Sequence, residues 1–250
     1  MHAKPPFGTA RGAVSLTYDD SMDCHLDLVA PALEAHGFRG TFYTPVNAGL
    51  LNRMDEWGKL AANGHELGNH TLHHPCRGRP DASWIKPERD LRHYTPERWE
   101  MEVALANLIL DKIEGRGGRS YGNTCHNNTV GPDEAQVSLD PHMLKHFVAA
   151  RGNCHGPDYS IVPATADLSN LGTLSGDNMT LEQWLAAVDR AVNLGHWVIF
   201  TFHGVGAEKK RLQVPEADHT ALLKHMAAYG EKLWVAPVRE VATAISERSR

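Results

Sequence analysis

Short β-rich runs alternate with amphipathic helical stretches along almost the whole chain, and no other feature constrains the fold as tightly. Residues 13–18 are β-rich and end in Asp19-Asp20. Further strands are expected at residues 39–43, 65–69, 119–121, 146–150, 197–202 and 233–235. The run 197–202 is apolar throughout, as suits a parallel strand buried on both faces. Helical signals fill the gaps. Leu26, Val29 and Leu33 share one face before a stop at Gly37, and residues 55–62 read as a short helix. Thr95-Pro96 forms an N-cap and N1 pair ahead of Trp99, Val103, Ala106, Leu110 and Ile113, which recur at spacings of three and four. Thr180 to Gln183 fits a capping box, and residues 219–229 and 238–245 close the chain as helices. About seven strand–helix units in one chain imply a parallel sheet closed, or nearly closed, into a barrel; an open doubly wound sheet is the alternative. No linker or repeat splits residues 1–250, so one domain is expected, with residues 1–11 as a flexible N-terminal segment.

Several function classes fall away on composition. A net charge of -5 and the lack of a basic run argue against a nucleic-acid partner. No stretch approaches the ~20 apolar residues of a membrane span, and no apolar leader core opens the chain. A soluble protein is expected, cytoplasmic or secreted after loss of a leader. Oligomeric state is left open. Four cysteines are too sparse for a disulfide scaffold, whereas sixteen clustered histidines hint at metal binding.

In such barrels chemistry sits at the C-terminal ends of the strands. That rule selects Asp19-Asp20, Thr44-Pro45, His70 to His74, Tyr121 to Asn123, Arg151 and His203. Asp19 and Asp20 could simply cap a helix, but two adjacent carboxylates exceed what one cap needs. On a helical turn His70 and His74 would share a face; with a carboxylate from elsewhere they make an open three-ligand zinc site. His73 is a rival ligand at the i,i+3 spacing. His203 could be a core histidine, although its place after an apolar strand favours the site.

These segments resemble the motifs of the polysaccharide deacetylase (NodB-homology, carbohydrate esterase family 4) enzymes. Ser15-Leu16-Thr17-Tyr18-Asp19-Asp20 resembles the first motif, His70-Thr71-Leu72-His73-His74 the H-[S/T]-x-x-H motif, and Phe202-His203-Gly204 the late histidine motif. They stand in the family's order and together span most of the chain. The resemblance implies a distorted (β/α) barrel of about seven strands, a divalent metal on Asp20, His70 and His74, Asp19 as general base and His203 as general acid. Zinc is the expected metal, with cobalt or nickel as substitutes at the same N/O site.

The middle motifs depart from the family form. Its Arg-x-Pro-Tyr stretch is matched only by Arg119-Ser120-Tyr121-Gly122, without the proline. Tyr121 is kept as a candidate, and Arg119 and Arg151 are alternatives for the arginine that orients Asp19. Asp167 and Asp177 are candidate partners of His203. Cys125-His126 and Cys154-His155 allow a second zinc site or a Cys125–Cys154 disulfide, but lining the cleft is the simpler role. Trp84, alone among the tryptophans considered in lying in a loop, is a candidate for stacking on a sugar.

The expected activity is hydrolysis of an N- or O-acetyl group on a carbohydrate. An amidase or imidase acting on a small amide is the alternative. A binding module without catalysis is disfavoured, because neither Asp19 nor His203 is needed to hold metal.

Overall fold

A computed structural model describes residues 7–248. Seven parallel strands close a barrel: β1 (Gly12–Asp19), β2 (Thr41–Thr44), β3 (Glu66–Asn69), β4 (Tyr121–Gly122), β5 (Ala150–His155), β6 (Leu171–Ser175) and β7 (Trp197–Phe202). They pair in that order, and β7 returns to β1 over Ala13–Tyr18, which completes the ring. The distorted barrel is therefore as expected. An eighth strand, β8 (Leu233–Val235), pairs with Gly12–Val14. Since β7 occupies one edge of β1, β8 takes the lower part of the edge whose upper part, Thr17–Asp19, pairs with β2. This wedge is the distortion.

Strand β1 shows how the sequence sorts the layers. Val14, Leu16 and Tyr18 point outward into the largest apolar cluster, where Val29, Leu33, Trp184 and Leu222 cover them. Ser15, Thr17 and Asp19 alternate inward, as the period-2 strand geometry requires. The upper interior is polar: Thr17 Oγ donates to Phe200 O at 2.7 Å, and Thr173 and Thr201 hydroxyls meet at 2.8 Å. The outer helices follow their signals. The helix Pro96–Glu114 starts at a Thr95 cap and buries Trp99, Val103, Ala106 and Leu110. The Thr180 capping box opens the helix Leu181–Leu194.

Three expectations are corrected. Residues 146–150 are not a strand; a helix, Asp140–His146, precedes β5, which runs four residues further on. The Asp140-Pro141 start and the polar content of Arg151 to His155 hid both elements. Strand β6 had no expected counterpart, so the barrel reaches seven strands with β6 inside the ring and β8 outside it. Residues 1–6 of the expected flexible segment lie outside the described residues, but Phe7 and Ala10 are buried, with Phe7 against Trp234. No described helix is long and apolar enough to cross a membrane.

Candidate active site

The C-terminal mouth of the barrel opens into a cleft of about 820 Å³. Asp19, Asp20, His70, His74, Asn123, Asp177 and His203 all line it. Consecutive strand residues normally face opposite sides, so Asp19 and Asp20 need a break to meet. The break is a left-handed backbone at Asp20 (φ 82) and Ser21 (φ 51), a conformation that side-chain-bearing residues adopt only under tertiary constraint. Both carboxylates consequently approach one imidazole. His70 Nε2 lies 3.7 Å from Asp19 Oδ2 and 3.6 Å from Asp20 Oδ1.

His74 Nε2 lies 3.2 Å from the same Asp20 oxygen, and one ligand atom from each of Asp20, His70 and His74 falls within 4.8 Å of the others. The expected helical turn is absent. Residues 70–74 form a bend in which Thr71 (φ 67) and His74 (φ 52) are left-handed. Side-chain acceptors hold this bend: Asn69 Oδ1 takes the Thr71 N–H at 2.7 Å, Glu102 takes those of Leu72 and His73, and Thr71 Oγ takes that of His74 at 2.9 Å. His73 is turned out to solvent at the rim.

The donor set suits a divalent ion. His70 Nδ1 donates to Gly122 O at 2.7 Å, which fixes the tautomer and leaves Nε2 as the free lone pair. Burial lowers the His70 pKa to about 4, so the ring is neutral and ligand-ready. Three protein donors leave room for water, as in open metal sites.

Arg151, not Arg119, meets Asp19. Its two terminal nitrogens donate to Oδ1 and Oδ2 at 2.7 Å each, and Nη1 also reaches Thr17 Oγ at 2.9 Å. Burial alone would raise the Asp19 pKa; the Arg151 guanidinium, with His70, instead holds it well below the usual carboxylate range. Arg151 is itself stacked over the Tyr43 ring at 4.5 Å. That ring lies where a β-carbon on Gly68 or Gly122 would stand, 2.4 and 2.7 Å from its atoms. Glycine at both positions is thus a packing requirement of the Tyr43–Arg151–Asp19 chain. Arg119 sits at the other end of the strands, on Glu114, Asp111 and Leu67 O. Tyr121 points away from the cleft, its hydroxyl accepting from Trp99 Nε1 at 3.2 Å.

His203 pairs with Asp177, Nδ1 to Oδ2 at 2.5 Å, and its Nε2 faces Asp20 Oδ2 at 3.9 Å. Against the opposing effect of burial, Asp177 and Asp19 raise the His203 pKa. Asp167 instead binds Ser169 in its own turn. Cys125 and His126 line the cleft, as expected, and the alternative of a Cys125–Cys154 disulfide is overturned by a Cys76–Cys125 disulfide, which ties the loop after the histidine bend to the turn after β4. Cys154 lies beside His126, 3.3 Å away. Trp84 is half-exposed on the cleft wall. Asn123, at the end of the candidate segment Tyr121 to Asn123, also lines the cleft, and an asparagine after a strand carries no sequence signal that marks it out.

Residues 8–123, just under half of the chain, match a family model described as polysaccharide deacetylase. A gellan lyase from a Bacillus species is 36% identical over 104 residues; the match spans 42% of this chain but only 4% of that protein's length. A Mycobacterium smegmatis protein assigned as a polysaccharide deacetylase superposes with a TM-score of 0.66 at 14% identity, over 96% of this chain and 92% of its own. A family 4 acetyl xylan esterase from Clostridium thermocellum, solved with a cobalt ion, gives 0.55 at 16% identity, over 92% and 90%. At such identities these two structures establish the shared barrel.

Proposed function

With the polysaccharide deacetylase match as premise, we propose that the chain is one catalytic domain that hydrolyses an acetyl group from a carbohydrate with the help of a divalent metal. The observation that carries this reading is the meeting of two built pairs, Asp19–Arg151 and His203–Asp177, around the Asp20, His70 and His74 donors at one barrel mouth. Asp20, His70 and His74 would hold the metal. When bound, it supplies Lewis-acid polarisation of the acetyl group and an acidified water.

The chain's own residues do the rest. Asp19, kept ionised by Arg151, accepts the proton of the attacking water. Arg151 also fixes the carboxylate plane through two parallel hydrogen bonds. His203, whose raised pKa favours the protonated ring, gives its Nε2 proton to the departing nitrogen or oxygen, while Asp177 holds Nδ1. Zinc is the preferred ion for this donor set, with cobalt or nickel able to substitute.

The test is acetate release from acetylated chito-oligosaccharides and acetylated xylan, with and without chelator and added zinc. Chelator-sensitive release is expected, and the preferred substrate separates amide from ester. Silence on every substrate from metal-loaded protein would refute the reading and leave a small-amide hydrolase to be tried.

A further inference from the structure

Asn123 is 2% exposed, and both its carboxamide oxygen and its nitrogen lack a hydrogen-bond partner, although the residue lines the cleft. Two unpaired polar atoms at one buried side chain are costly in a folded protein, and such groups point to a ligand. The position is close to the chemistry. Asn123 follows Gly122, whose carbonyl accepts from His70 Nδ1 at 2.7 Å. Its own main-chain N–H is already bonded to Arg151 O at 3.1 Å, so the donor this residue can offer a substrate is its side-chain N–H.

The frame around it is rigid. Thr124 Oγ bonds to Pro75 O, and Cys125 is joined to Cys76. Together with the two strand contacts, these anchors hold the backbone on both sides of Asn123. A donor held in place before charge develops is what stabilises an oxyanion, because it needs no reorganisation during the reaction.

Resting on the deacetylase reading, we propose that Asn123 binds the reacting group: its side-chain N–H donates to the acetyl oxygen as negative charge builds there, and its side-chain oxygen accepts from a neighbouring sugar hydroxyl or amide N–H. In the tetrahedral step, the water oxygen bonds to the acetyl carbon as Asp19 takes the water's proton, the carbonyl π pair moves onto oxygen, and Asn123 holds that oxygen without gaining or losing a proton.

The test is steady-state kinetics, metal content and thermal unfolding for wild type, Asn123→Leu and Asn123→Asp. Asn123→Leu should lower kcat about 10²- to 10³-fold with KM changed little, as loss of an oxyanion donor does. Metal content should be unchanged and the unfolding temperature equal or higher, since an unpaired polar group has been removed. Asn123→Asp, which keeps the shape but loses the donor, should be at least as slow. A kcat within threefold of wild type in either variant overturns the proposal while leaving the deacetylase reading intact. A loss of kcat that tracks lost metal or a lower unfolding temperature overturns it too, in favour of a structural role. A wild type that releases no acetate refutes the deacetylase reading itself and this proposal with it.

Discussion

Arg151 at the mouth of the barrel and Arg119 at its floor are both almost completely buried, and both face carboxylates. At the floor, Arg119 and Arg239 surround Glu114, and nearby Glu66 accepts from Ser120, Thr41 and the Arg239 N–H. Every one of these contacts closes a strand start or a helix end. Burial keeps the Glu114 pKa raised in spite of the two arginines. At the mouth, the Arg151 fork overcomes burial and depresses Asp19, whose other neighbours are two imidazoles and a second carboxylate. The floor network sets Glu114 between two guanidiniums, yet leaves Arg119 Nε and Arg239 Nε and Nη1 buried without a hydrogen-bond partner. The unpaired atoms at the mouth, those of Asn123, differ in lining the cleft beside the Asp20, His70 and His74 donors, where a bound ion and substrate would complete them.

The largest effect should come from Asp19→Asn. Turnover should fall about 10³-fold, the range of a lost general base, while metal content persists because Asp20 and the two histidines remain. Elemental analysis beside acetate release checks this, and loss of the metal would merge the roles given to Asp19 and Asp20.

Replacing the arginines tests the contrast itself. Arg151→Met strands the buried Asp19 carboxylate and should lose roughly 3–5 kcal/mol of stability by denaturant unfolding, and Arg119→Met should lose less, because Glu114 keeps Arg239 at 2.7 Å. Only Arg151→Met should also lower kcat of the folded protein, by about 10²-fold. Equal kcat in the two variants would remove the functional distinction between mouth and floor. More locally, His74→Ala should weaken metal binding by about 100-fold or more, with His73→Ala nearly neutral, as a competition titration would read; the reverse would move the ligand to His73.

What could be read from the sequence divides along the same line. Asp19, Asp20, His70, His74 and His203 were legible because their residue types sit at strand ends, where the barrel concentrates chemistry. The choice between Arg119 and Arg151 was not. Each precedes or opens a short strand, and only the ring closure that sets β5 across from β1 tells which guanidinium reaches Asp19. Strand β5 was hidden by its polar tail, and the Cys76–Cys125 link spans 49 residues with no local signal. The bend at His70–His74 depends on Asn69 and Glu102 acting as acceptors, and Glu102 belongs to a helix thirty residues on.

The smallest expected effect concerns the partner of His203. Because Asp177 raises the His203 pKa, the protonated acid survives above its ordinary range, and activity should fall as pH rises through that raised value. Asp177→Asn removes the charge that holds the proton. The alkaline limb of kcat/KM should then move to lower pH by roughly one unit, whereas the acid limb, set by Asp19 and His70, should stay in place. A shift in the alkaline limb alone ties His203 to the proton delivered to the leaving group. An unmoved alkaline limb would assign it to another group and reduce the His203–Asp177 pair to a structural contact like those at the floor.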